Sequence, residues 1–305
     1  MKSLNELMRE AWQIGTLVPA FNVAYLPMAK TIVDTLKELE VFGLVEVARP
    51  DVEKFGAKSF ASVAEEFYKY ADLHYTRLHL DHIPVIDEDG RRVDWEKLIE
   101  DGLSLGYHSV MIDGSRLPLE ENISCTKRVV EMAHSKGIPV EAELGAVLGH
   151  EKGPLPPYEE LFASKKGFTS VEDAKLFVKE TQVDWLSVAI GNIHGAISGV
   201  AKNLPKLEAR LDIEHLKQLK ERTQVPLILH GGSGIRIEYL KEAIKNGITK
   251  INIGTEIRQA YEKGFKESTG DIEFACSKVS EKMKELISLY GIQGSANKLY
   301  ESNAY

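Results

Sequence analysis

The amino-acid sequence predicts a single α/β domain over residues 1–305, a (β/α)8 or TIM barrel, and three observations carry that prediction. Eight short β-branched and aliphatic runs recur along the 305 residues, each followed by a longer amphipathic stretch. No G-x-G-x-x-G follows the first run, as an open dinucleotide-binding sheet would require. Polar, chemically capable side chains stand at the ends of almost every run, where a barrel gathers its working groups on one face.

Taken in order, the first strand falls at residues 17–22 and leads to a helix over 28–39, with apolar residues three and four apart. Strands two to four follow at 44–47, 77–81 and 109–113, the last feeding a helix over 119–135. The fifth strand, 140–143, gives way to residues 145–167, rich in Gly, Pro and charge. This segment breaks the alternation and reads as a long loop over the catalytic face, the usual position of a lid. A helix over 171–180 opens with Ser170 and Asp173 in capping-box spacing. Strand six at 185–189, a helix over 213–222, strand seven at 227–230, a helix over 237–246 and strand eight at 251–253 complete the barrel. One extra C-terminal helix, near 272–290, precedes a polar end, and nothing marks a second domain.

Composition removes several function classes. A formal net charge of -8, with no dense block of Lys or Arg, argues against nucleic acid as a partner. No run approaches membrane-spanning length, and the first fifteen residues mix acids and bases instead of forming an apolar signal segment. The expectation is a cytoplasmic protein with no membrane partner. Cys125 and Cys276 lie far apart without redox or zinc-ribbon spacing, and read as free structural thiols.

The chemistry-bearing residues are His82, His194 and His230, which follow strands three, six and seven. Three imidazoles from separate strand ends would hold a zinc ion and leave its fourth position open to substrate. His74, His108, His134, His150 and His215 fall in helical, strand-start or loop contexts and read as structural or solvent-facing. Asp81, beside a ligand, either orients an imidazole or moves a proton, and proton transfer is the preferred reading. The run Gly231-Gly232-Ser233-Gly234 offers unencumbered backbone N–H groups where barrels bind phosphate, with Asn252 and Thr255 following strand eight; a purely structural turn is the alternative.

The segments VPAFN, HLDH, MIDGS, PVEAELG, AIGNIHG, LHGGSGI and KINIGTE, in this order, resemble the class II, zinc-dependent ketose-bisphosphate aldolases, the family of fructose-bisphosphate and tagatose-bisphosphate aldolase. The resemblance implies that His82, His194 and His230 are the catalytic zinc ligands and that Asp81 handles the proton of the hydroxyl that becomes, or comes from, the aldehyde. It implies a sugar-phosphate substrate with dihydroxyacetone phosphate as nucleophile, its phosphate on Gly195, Gly231, Ser233 and Thr255, and Asn22 and Asn252 holding the reacting end. His79, Asp113 and Glu143 match positions where relatives hold a second or alternative metal, and a monovalent cation is also compatible. Glu151 matches a loop glutamate that moves the proton at the carbon of dihydroxyacetone phosphate. Association as a homodimer or homotetramer is a further implication.

Three departures fall on the acceptor side. The second strand ends Glu46-Val47-Ala48-Arg49-Pro50 where the family has Gln-x-Ser, so a polarising hydroxyl is missing at Ala48. Gly270-Asp271-Ile272-Glu273 replaces an Asp-Pro-Arg that supplies a phosphate-binding arginine. Gly149-His150-Glu151-Lys152-Gly153 lacks the usual acidic pair. These changes imply an aldehyde other than the glycolytic one, unless Arg49, Arg116 or Lys152 supplies the charge. A metal-dependent sugar-phosphate epimerase or isomerase, and a non-catalytic sugar-phosphate-binding relative, remain as alternatives.

Overall fold

Period-two alternation along each strand decides what the barrel encloses and what it shows to the helices. The computed structural model describes residues 2–146, 157–192, 209–232 and 235–301. Eight parallel strands close in sequence order: β1 (Val18–Asn22), β2 (Gly43–Ala48), β3 (Thr76–Pro84), β4 (Ser109–Asp113), β5 (Val140–Leu144), β6 (Trp185–Val188), β7 (Leu227–Leu229) and β8 (Ile248–Ile253), with β8 pairing back onto β1. Val45, Val47, Leu78, Leu80, Ile251 and Ile253 belong to the large apolar core shared with the surrounding helices. Their alternates, including Glu46, His79, Asp81, Lys250 and Asn252, face the barrel interior.

The floor of the interior is apolar. Helix Leu4–Ile14 starts at a Ser3/Glu6 capping box and stops at Gly15 in the left-handed conformation. It buries Leu4, Leu7, Met8 and Ala11 in one cluster with Val18, Leu44, Trp185 and Ile228. Trp185 Nε1 donates to Asn5 Oδ1 at 3.1 Å, so the helix closes the N-terminal end of the barrel.

Three elements differ from expectation. Residues 145–167 are not a continuous loop: Tyr158–Ser164 is helical, and Tyr158 and Leu161 are buried. The polar-looking end forms helix Ser295–Glu301, which adds Ala296 and Leu299 to the floor. β8 begins three residues before the expected start because Lys250 interrupts the apolar run yet lies fully buried. The extra helix Ile272–Tyr290 is present, and Ser170 Oγ accepts the Asp173 N–H at 3.3 Å. Cys125 and Cys276 are free thiols, and no helix among the described residues is long and apolar enough to cross a membrane.

Candidate active site

Strict alternation would send Asp81 into the barrel and His82 outward to the helices. Instead the pairing of β3 with β4 shifts register between Leu80 and Ile83, and His82 adopts φ 39°. That left-handed backbone is strained for a residue with a Cβ, and the bulge re-aims His82 so that both side chains reach the C-terminal mouth. His230 arrives from the end of β7. Asp81, His82 and His230 each offer a donor atom, all within 4.8 Å of one another.

The ring of His230 is fixed from behind. Its Nε2 pairs with Glu141 Oε1 at 2.8 Å, and Asn192 Nδ2 donates to its backbone carbonyl at 2.8 Å. Its Nδ1 is buried and has no hydrogen-bond partner; Glu143 Oε2 lies 3.2 Å away without hydrogen-bond alignment. A carboxylate on one ring nitrogen with the other left over is the arrangement of a metal-binding histidine. Two imidazoles and a carboxylate with donor atoms this close together are chemically suited to a borderline divalent ion such as zinc.

Of the residues expected for a second cation, Asp113 and Glu143 group with His82, whereas His79 groups with Glu46 and Asp81. His82 Nδ1 is 3.5 Å from Asp113 Oδ2, and Ser115 Oγ donates to Asp113 Oδ1 at 2.6 Å. His79 Nδ1 contacts Ser109 Oγ at 2.8 Å, deeper in the barrel.

Asp81 is held by two amides: Asn252 Nδ2 donates to Oδ1 at 2.8 Å and Asn22 Nδ2 to Oδ2 at 3.2 Å. Burial opposes its charge, but His82, Lys250 and His230 outweigh that and hold the carboxyl below its ordinary range. Burial likewise opposes a charged His82, and Asp81 reverses it, raising the imidazole to about 9. His230 is raised to about 10 because Glu141 and Glu143 overcome desolvation. His79 moves the other way, to about 3, through burial and the nearby Lys250.

Asn22, Asp81, His82, Asp113, Glu143, His230 and Asn252 line a cavity of about 520 Å³. One wall is Gly231, Gly232, Gly254 and Thr255. A Cβ on Gly232 would come within 2.3 Å of Ile251 Cδ1, so any larger residue there would have to displace the Ile251 side chain. Thr255 opens helix Thr255–Glu267, whose first N–H groups have no intrahelical acceptor. Ala48, Arg49, Lys54, Glu88 and Arg116 also line the cavity. Ala48 offers no hydroxyl, and its N–H is occupied by Asp51 Oδ2 at 2.9 Å. Arg49 pairs with Glu53 and reaches Asp87 at 3.5 Å. Glu273 lies in the first turn of the C-terminal helix and does not line the cavity. His194, Gly195, Glu151, Ser233, His150 and Lys152 lie outside the described residues.

Sequence reasoning missed Glu46, Glu141 and Lys250, all fully buried in the barrel. The signal was a lone charge at an inward-facing position of an apolar strand, as in LVEV, PVEA and TKIN. Lys250 Nζ bonds Glu141 Oε2 at 3.0 Å and lies 3.5 Å from Glu46 Oε2. Asp51, pushed up to about 6 by burial against the pull of the Ala48 N–H, was missed as well.

The family model described as class-II fructose-bisphosphate aldolase matches residues 2–298. The chain belongs to that family. Fructose-bisphosphate aldolases of two Streptococcus pneumoniae strains, TIGR4 and R6, are 41% identical over 197 residues, covering 64% of this chain and 58% of theirs. The matched part therefore spans little more than half the length of these curated relatives. Among solved structures, the YdjI aldolase from Escherichia coli K12 superposes with TM-score 0.76 at 29% identity, over 96% of this chain and 98% of that one. Fructose-bisphosphate aldolase from Campylobacter jejuni gives TM-score 0.74 at 19% identity, over 95% and 94%, a likeness of fold alone.

Proposed function

We propose that this chain is a single catalytic barrel that cleaves and forms a ketose phosphate by zinc-dependent aldol chemistry, with dihydroxyacetone phosphate as the nucleophilic half. The observation that supports it most is the meeting of donor atoms of Asp81, His82 and His230 at one cavity. In this reading His194 completes the ligand set with His82 and His230. The zinc, when bound, supplies Lewis-acid polarisation of the substrate oxygen. Asp81, kept ionised and aimed by Asn22 and Asn252, takes the proton from the hydroxyl that becomes the aldehyde and returns it in the reverse direction. Glu151 moves the proton at the carbon of dihydroxyacetone phosphate. Gly195, Gly231, Ser233 and Thr255 cradle the phosphate through backbone N–H groups and hydroxyls. Arg116, which lines the cavity with no ion-pair partner among the described residues, is available to meet an anionic group on the acceptor aldehyde. Assembly into a homodimer or homotetramer belongs to the same proposal and is read by sedimentation.

The test is hydrogen–deuterium exchange at the hydroxymethyl carbon of dihydroxyacetone phosphate, followed by NMR, on zinc-loaded, chelated and His230→Ala protein. Exchange that vanishes in the last two samples supports the reading and licenses a screen of aldehydes with and without phosphate. Bound ketose phosphate that never exchanges overturns it. A ketose phosphate converted with all its carbons retained identifies an isomerase instead.

A further inference from the structure

We propose that Lys250 is a positioning residue that couples the metal ligand His230 to Asp81, by gripping Glu141 with one N–H and Asn252 with another. The inference rests on the functional reading above. Lys250 stands on β8, inside the barrel and without solvent contact. A buried ammonium is costly unless its donors are used, and it has three. One meets Glu141 Oε2 at 3.0 Å, one meets Asn252 Oδ1 at 2.6 Å, and the third side faces Glu46 Oε2 at 3.5 Å.

Each grip fixes a group that matters at the mouth. Because Lys250 occupies Oε2 of Glu141, Oε1 is left for Nε2 of His230, and the ring presents Nδ1 to the cavity. Because Lys250 occupies the amide oxygen of Asn252, the amide nitrogen must face Asp81, where it donates to Oδ1 at 2.8 Å. A flipped Asn252 would aim its NH2 at the ammonium and its oxygen at the carboxylate, two repulsive contacts replacing two attractive ones. One buried cation thus sets both the imidazole facing the metal and the amide of Asn252, which holds Asp81 and, in the functional reading, the reacting end of dihydroxyacetone phosphate whose exchange is measured. Neutralising Glu46 and Glu141 alone would not require the bond to Asn252, which is the shortest of the three.

The experiment measures zinc affinity by chelator competition, thermal melting, and dihydroxyacetone phosphate exchange at saturating zinc. The samples are wild type, Lys250→Met, Asn252→Ala and the double variant. Lys250→Met is expected to weaken zinc binding about tenfold and slow exchange about a hundredfold. In the Asn252→Ala background the same replacement is expected to slow exchange by less than about threefold, since the amide it orients is gone. If Lys250→Met alone does not accumulate folded, Lys250→Met with Glu141→Gln removes both charges of the pair and should show the same losses. A folded variant that melts lower yet keeps wild-type zinc affinity and exchange, or that loses equally in both backgrounds, overturns the inference. Wild-type protein that neither binds zinc nor exchanges overturns the functional reading, and this inference with it.

Discussion

The floor and the mouth of this barrel lie at opposite ends of the same strands and obey opposite rules. At the floor, Leu7, Met8, Trp185 and Ile228 contribute by leaving water, and the shape of the cluster is all that matters. At the mouth and just beneath it, Asp81, Glu141, His230 and Lys250 are equally removed from solvent but ionisable. Charges in such a place cost stability unless every one is matched, and the proposed function gives the arrangement its reason. A single strand does serve both ends: β7 places Ile228 in the floor cluster and leads directly to His230 at the mouth.

Replacements at the two ends should therefore separate activity from stability. The largest effect is expected from His230→Ala, which should abolish zinc retention and lower exchange at least about a thousandfold, measured by metal content and NMR. Asp81→Asn should retain zinc while slowing cleavage of the ketose phosphate about a hundredfold or more; an unchanged cleavage rate would reduce Asp81 to a bystander. Acidity should act on the mouth alone. Metal takes neutral imidazoles, and His82 and His230 hold their protons up to about 9 and about 10 in the metal-free cluster. Zinc binding must expel those protons, so affinity should rise with pH from 7 toward 9, by up to about a hundredfold per unit for two protons. Chelated protein should show the reverse. Both imidazoles have raised values in the folded state, so their stabilisation is complete below about 6.5, the unfolded value, and is lost as pH rises through 9 and 10. At the floor, Leu7→Ala should cost about 2–5 kcal/mol of stability while the folded protein exchanges within about twofold of wild type. A large loss of activity there would break the separation.

The same division governed what could be read from sequence. Outward-facing strand residues are apolar and produce the periodic signal, which is why all eight strands were legible to within a few residues. Asp81, His82 and His230 were legible because they stand where an apolar run stops. Lys250 and Glu141 were not, because a charge inside a strand ordinarily marks a solvated face, and only the closed barrel brings residues 109 positions apart into one ion pair. Helix Tyr158–Ser164 was hidden by its shortness and by the prolines before it. Helix Ser295–Glu301 was hidden because two apolar residues suffice to dock seven.

The bulge at His82 places conformational preference and chemistry in open conflict at one position. The backbone there suits glycine, the residue that any procedure optimising folding alone would install. The proposed ligand set needs an imidazole. Homologous chains that have lost the reaction but kept the barrel should relax toward glycine or asparagine at this position before any other in the mouth, making residue 82 a marker for retained catalysis across sequence collections.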